Sequence, residues 1–427
     1  MNDPVHKSVL GNGLRVVTVE LPHLHAGMIA AYVRAGSRHE EAETNGVSHF
    51  LEHLFFRGSE GYPEGRDMNA LVEDCGGSLN GVTTRDHGYY FSPVHPGRLE
   101  VPMAVLGDML GRPLFKEIEL EREVILEEIL DEVDEKGRDI DVDNLAKRAL
   151  FPAHPLGMKI AGSRESVAAL TERQLREQHA RAYGARNMVL ACAGPLDHLR
   201  VQELAEEHFA RLPPGQLLPE SPLNGAPRGP QLIAVDHLES QMELQVSFRG
   251  PPEEHADFPV LRVIKRILDD GLASRLQLNL VERKALAYSV GAGMDGFSDV
   301  SVFEAGCACA PRKAPAAVAE ILRLLAELRS VDVPEEELSR AKKKTRIWLE
   351  FSLDAPSEMI GWFGSGELLH PPVESFERWI ARVEGVTPAD VRRVASAIFR
   401  RENLVTVAVG PLAGVSRKLR DAVEGAL

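Results

Sequence analysis

The sequence has little cysteine, no long apolar run and no surplus of positive charge. Its 427 residues include four cysteines, Cys75, Cys192, Cys307 and Cys309. Thiols so few and scattered exclude a disulfide-built secreted scaffold and fit a reduced, cytoplasmic compartment. Cys307-Ala-Cys309 has the form of a short metal motif, but its setting, "VSVFEAGCACA", reads as a strand. No stretch of about 18 uninterrupted apolar residues marks a membrane span. The opening "MNDPVHKSVLGNGLRVVTVEL" is polar and runs straight into a strand-like segment, unlike a signal or transit peptide. The net charge of −15 argues against a nucleic-acid partner, which calls for a basic face. No serine or cysteine stands in a context suited to a catalytic nucleophile.

What is present is the composition of a soluble globular protein, 44% hydrophobic and 26% charged. The length exceeds what one hydrophobic core usually serves, so two or more domains are expected. A Pro-rich stretch, "RLPPGQLLPESPLNGAPRGPQ" (211–231), reads as a linker between domains at 1–210 and 232–427. The two halves are related. "TERQLREQHARAYGARNMVLACAGPL" (171–196) aligns without a gap on "TPADVRRVASAIFRRENLVTVAVGPL" (387–412), with seven of 26 positions identical. Both copies read as an N-capped helix, a turn, an apolar strand and a Gly-Pro stop. The same offset of 216 residues sets "MIAAYVRAGSRHE" (28–40) opposite "LQVSFRGPPEEHA" (244–256). One domain has been duplicated. Strands such as "LRVVTVEL" and "GYYFSPV" occur with helical segments without strict alternation, which predicts an α+β fold with helices on mostly antiparallel sheets.

The chemistry concentrates in "GVSHFLEHLFFRG". Val47, Phe50, Leu51, Leu54 and Phe55 recur at the spacing of a buried helix face. His49 and His53 project from one side of that helix, a turn apart, and Glu52 lies beside them. A polar trio in an apolar helix is costly unless it is hydrogen-bonded or holds a metal. Two neutral imidazoles suit Zn²⁺, and a neighbouring carboxylate can take a proton from water. His-x-x-Glu-His is the inverted form of a zinc peptidase motif. At the 216-residue offset these three fall opposite Lys265, Leu268 and Asp269, so the second half keeps a helix there without the site. A carboxylate is the usual third ligand, and the acid-rich helix "EIELEREVILEEILDEVDE" (117–135) is the strongest place for it. Its expected buried face is Ile118, Val124, Ile125, Ile129 and Val133.

These motifs resemble the pitrilysin family of zinc peptidases, which includes insulin-degrading enzyme and the mitochondrial processing peptidase. That family adds a glutamate about 75 residues after the motif and another seven residues before that one. Glu128 stands 75 residues after His53, and Glu121 seven before Glu128. The resemblance therefore implies His49, His53 and Glu128 as ligands of one Zn²⁺ per chain. It implies Glu52 as general base and Glu121 as support for an imidazole. Glu127, the nearest competitor, points about 100° away from Glu128. "GSLNGVTTRDHGYYF" (77–91) is similar to the family's edge strand beside the metal, which implies substrate contacts along Asn80, Gly81, Val82 and Thr83.

In the second half, "DDGLASRLQLNLVERKALAYSV" resembles a family signature whose tyrosine and an arginine seven residues earlier polarise the scissile carbonyl. Tyr288 matches the tyrosine, but Val281 stands in place of the arginine. Arg283 lies two positions on, about 200° around a helix. The resemblance covers essentially the whole chain and implies an endopeptidase for extended peptides. It further implies a homodimer, or a heterodimer with a related chain supplying the arginine–tyrosine pair. The rival is a non-catalytic assembly subunit like the respiratory-complex core proteins. Those tend to have lost zinc-motif residues, and His49, Glu52, His53 and Glu128 are all present here.

Overall fold

The structure, a computed structural model, describes residues 4–223, 225 and 227–425. The outermost residues of the two expected domains (1–3 and 426–427) and positions 224 and 226 of the expected linker lie outside that range. Eleven strands among the described residues form two sheets. The first contains β1 (Val5–Val9), β2 (Arg15–Glu20), β3 (Gly27–Val33), β4 (Asn80–Thr83), β5 (Gly88–Val94) and β6 (Met188–Gly194), in the order β1-β2-β6-β3-β5-β4. The second contains β7 (Gln231–Asp236), β8 (Met242–Gly250), β9 (Ser289–Gly296), β10 (Ser301–Cys309) and β11 (Val405–Gly410), in the order β7-β11-β8-β10-β9.

The duplication is written into these orders. Replacing β2, β6, β3, β5 and β4 by β7, β11, β8, β10 and β9 converts the first sheet into the second, with β1 left over. Each sheet has one parallel pair, β2–β6 or β7–β11, and is otherwise antiparallel. The aligned segments repeat down to single side chains. Thr171 and Thr387 each close a capping box at the start of a helix. Asn187 Nδ2 donates to the carbonyls of Arg34 (2.9 Å) and Ala182 (2.7 Å), and Asn403 Nδ2 to those of Arg249 (2.8 Å) and Ile398 (2.9 Å). The repeated asparagine thus fastens a helix end to the neighbouring strand. The repeated glycine ends its strand at φ 138° (Gly194) or 140° (Gly410), a backbone that disfavours side chains. β6 and β11 are buried along their whole length, and helices pack on the sheets, so the α+β expectation holds.

The compact units do not follow the expected division at 211–231. The chain forms one compact unit from Met1–Ile129, Met158–Pro222 and Glu350–Glu374, and another from Leu130–Gly157, Leu223–Leu349 and Ser375–Leu427. The helix Val142–Leu150, expected in the first domain, buries Leu145, Ala146 and Leu150 in a core with Val405 and Val407 of β11. Conversely, the helix Pro356–Ile360 and the π-helical turn Gly361–Ser365 lie on β3 and β6. A Cβ on Gly364 would come within 2.5 Å of the Tyr32 ring, so only glycine permits that approach. The exchanged segments are themselves counterparts, because the 216-residue offset carries 142–150 onto 358–366. Burial of an apolar helix face, not position along the chain, decides which unit a segment joins.

The supposed linker is only partly one. Pro213 O accepts from Ala185 N (2.9 Å), Leu218 N donates to Asn187 Oδ1 (3.0 Å), and Glu220 pairs with Arg34 (3.0 Å). Gln231 already begins β7. Among the described residues no helix is long and apolar enough to cross a membrane.

Candidate metal and catalytic site

The histidines stand on the helix Val47–Phe55, anchored by Phe50, Leu51, Leu54 and Phe55, each at most 1% exposed. Gly46 precedes the helix at φ 95° and offers no side-chain cap. Glu40 takes that role from six residues upstream. Its buried carboxyl accepts from Gly46 N (2.8 Å), Ser48 N (2.8 Å) and Asn45 Nδ2 (2.9 Å), which satisfies open N–H groups at the start of the helix; burial pushes its pKa up while these donors pull it down.

The acidic helix runs Ile118–Leu130, shorter than expected, and is entered through Phe115 and Glu117 with φ of 53° and 58°. Ile125 and Ile129 are buried as expected, but Val124 is exposed and Val133 lies beyond the helix end. Glu121 is 2% exposed. Its Oε2 lies 2.9 Å from His53 Nδ1, and Arg57 pairs with its Oε1. A carboxylate can only accept, so Nδ1 of His53 carries the proton and Nε2 presents a lone pair.

That lone pair faces Glu128. Glu128 Oε2 is 3.5 Å from His53 Nε2 and 3.7 Å from His49 Nε2. Burial and the neighbouring His53 lower the His49 pKa to about 4, which keeps that imidazole neutral near pH 7. One potential ligand atom from each of the three residues lies within 4.8 Å of the others. The two Nε2–Oε2 separations are too long for hydrogen bonds. They are close to the roughly 3.4 Å between donors that share a tetrahedral ion at about 2.0–2.2 Å. Two neutral imidazoles and a carboxylate therefore fit zinc in chemistry and spacing. Glu127, also exposed, makes no such approach.

Glu52 lies next to this group. Thr83 Oγ1 donates to Glu52 Oε2 at 2.5 Å. Burial pushes the Glu52 carboxyl up while the Thr83 hydrogen bond pulls it down. The net rise makes it a better proton acceptor than a solvated carboxylate. Thr83 belongs to β4, the last strand of its sheet, so the expected edge strand is present. A Cβ on Gly81 would sit 3.0 Å from both Glu52 Cγ and Phe56 Cε2, so this glycine lets the strand pass close to the site. Asn80 opens the strand and turns its amide back to Ser78 O (3.0 Å). Val82 is half-buried beside it.

Tyr288 belongs to the other unit, immediately before β9, and is 67% exposed, so it is not a packed core tyrosine. Its N–H donates to Ala308 O at 3.2 Å. The segment Gln277–Arg283 is π-helical. Each residue there turns through less than the about 100° of an α-helix, so Arg283 is less than about 200° from Val281. Sequence reasoning missed Glu40, Arg57 and the bond from Thr83 to Glu52. The absence of a capping residue before Val47 was the one available signal for Glu40. Arg57 and Thr83 act through contacts between distant segments and left none.

The chain matches the family "Insulinase (Peptidase family M16)" over residues 15–164 and "Peptidase M16 inactive domain" over residues 169–345. It is 33% identical over 405 residues to a protein of Mycobacterium tuberculosis described as an uncharacterized zinc protease, covering 92% of this chain and 91% of that one. It is 28% identical over 420 residues to the mitochondrial-processing peptidase subunit beta of Dictyostelium discoideum, covering 95% and 88%. The fold is shared with a protease from Helicobacter pylori (TM-score 0.87, 24% identity, 95% of this chain and 99% of that one). It is likewise shared with a peptidase M16 inactive domain from Pseudomonas fluorescens (TM-score 0.88, 20% identity, 96% and 98%).

Proposed function

The chain belongs to peptidase family M16, and from that premise we propose that it is a zinc-dependent endopeptidase for extended or unfolded peptides. The observation that carries this reading is the convergence of His49, His53 and Glu128 with Glu52 alongside. Zinc bound by the three supplies a Lewis acid that polarises the scissile carbonyl and acidifies water. Glu52, oriented by Thr83, takes the proton from water and passes it to the leaving nitrogen. Glu121, held by Arg57, fixes the tautomer and orientation of His53. The free edge of β4, from Asn80 through Gly81 and Val82 to Thr83, pairs with the substrate main chain. Tyr288 contributes a hydroxyl to the carbonyl oxygen. Two chains, each with two family domains, enclose a chamber that admits unfolded peptides.

The assembly-subunit alternative draws on the inactive-domain match, but that match spans residues 169–345 and contains none of the zinc residues. Metal analysis separates the two readings. The enzyme carries about one zinc per chain and hydrolyses an unfolded peptide, whereas a structural subunit carries no stoichiometric zinc. Glu121→Gln is expected to weaken zinc binding about 10- to 100-fold, as loss of an outer partner of a ligating histidine does. Chelator competition measures it, and an unchanged affinity would remove Glu121 from its supporting role.

Val281 sets a further test. If the developing oxyanion needs the arginine, a donor worth roughly 3 kcal/mol, then a chain lacking it is a weak enzyme alone. Val281→Arg is then expected to raise its rate about a hundredfold in peptide hydrolysis. Full activity from the pure wild-type chain would instead sink the heterodimer and dismiss the need for a partner's arginine.

A further inference from the structure

A cavity of about 530 Å³ opens beside the proposed catalytic group and shares Glu52 and His53 with it. Phe56 contributes to its wall, with its ring against the backbone of β4 at Gly81. A peptide paired along β4 and cleaved at Glu52 therefore has a side chain flanking the scissile bond directed at this cavity.

The charges lining it are already paired, with one exception besides Glu52. Arg57 pairs with Glu121 and Glu117 (3.3 Å to Glu117). Lys116 pairs with Glu64 at 3.1 Å and also donates to Pro63 O. Arg66 is exposed, lines the same cavity and has no partner among the described residues. Asn69 stands three residues on, on the same face of the helix Gly65–Glu73, and its Nδ2 is committed to Gly65 O at 2.8 Å. The wall thus offers an aromatic ring for an aliphatic stem and a guanidinium whose planar donors suit a carboxylate.

We propose that Arg66 sets the specificity of this cavity for an acidic substrate residue, glutamate above all, flanking the cleaved bond. The inference rests on the peptidase reading of the same site. Glutamate matches both features: its methylenes lie along Phe56 and its carboxylate reaches Arg66. Lysine at that position meets Arg66 as a like charge. Glutamine keeps the shape and loses the charge pairing.

Unfolded fluorescent peptides identical except for Glu, Gln, Leu or Lys on either side of the cleaved bond provide the test. Their binding to the zinc-loaded Glu52→Gln chain is read by anisotropy, and hydrolysis by the wild-type chain is followed in parallel. The Glu peptide is expected to bind about two- to fivefold tighter than the Gln peptide, the scale of a partly screened ion pair. Adding Arg66→Ala should bring that ratio to about one, and Arg66→Glu should reverse it in favour of Lys. Equal binding of Glu and Gln peptides, or a Glu preference that survives Arg66→Ala, overturns the inference even when the wild type hydrolyses every peptide. An intact Glu preference with no hydrolysis by either the zinc-loaded wild type or its Val281→Arg variant supports the role of Arg66 and overturns the peptidase reading instead.

Discussion

Glu52→Gln is expected to retain its zinc and to hydrolyse an unfolded peptide about a thousandfold more slowly than the wild type. The size is that of a lost general base, which contributes on the order of a hundred- to ten-thousandfold. The amide is nearly isosteric and can still accept the Thr83 hydroxyl that now lies 2.5 Å from Glu52 Oε2. What it cannot do is hold a proton taken from water. Because Glu52 is not one of the three residues whose ligand atoms converge, zinc content should stay at the wild-type level. Metal analysis and single-turnover hydrolysis on the same preparation separate the two properties. Substantial turnover by the zinc-loaded variant would take the base role away from Glu52.

The second large effect belongs to Glu128. Its carboxylate is the only charged member of the trio with His49 and His53, and its Oε2 faces both Nε2 atoms. Glu128→Gln replaces an anionic oxygen donor by a neutral one and is expected to weaken zinc binding by more than about a hundredfold. That exceeds the roughly 10- to 100-fold that outer-partner losses produce. Glu127→Gln, one residue earlier on the helix Ile118–Leu130, should leave zinc affinity unchanged. Zinc titrations of the two variants give a decision internal to one helix. A loss with Glu127→Gln and none with Glu128→Gln would reverse the assignment.

Much of this protein was legible in its sequence because the signals are local or periodic. Helical spacing brings His49 and His53 to one side of a helix whose apolar residues fix its orientation, and no tertiary information is needed for that. Counting residues also exposed the duplication, since a repeated fold repeats its capping threonine, its asparagine and its strand-ending glycine at one offset. The spacing from His53 to Glu128 selected an acid only through resemblance to the pitrilysin family. Composition offered too many carboxylates to choose among.

The tertiary structure decided what depends on surfaces meeting across long stretches of chain. Residues 130–157 and 350–374 each join the unit other than the one their position suggests, because their apolar faces find their cover there. A Pro-rich segment that reads as a linker is instead tied down by Asn187, Arg34 and backbone carbonyls. Glu40 caps the histidine helix from a loop, Arg57 secures the buried carboxylate of Glu121, and Thr83 orients Glu52 from a strand of the sheet. None of these contacts has a period or a fixed spacing. Periodicity along the chain fixes which way a side chain points; the energetic need to cover apolar faces and to partner every buried charge fixes what it meets.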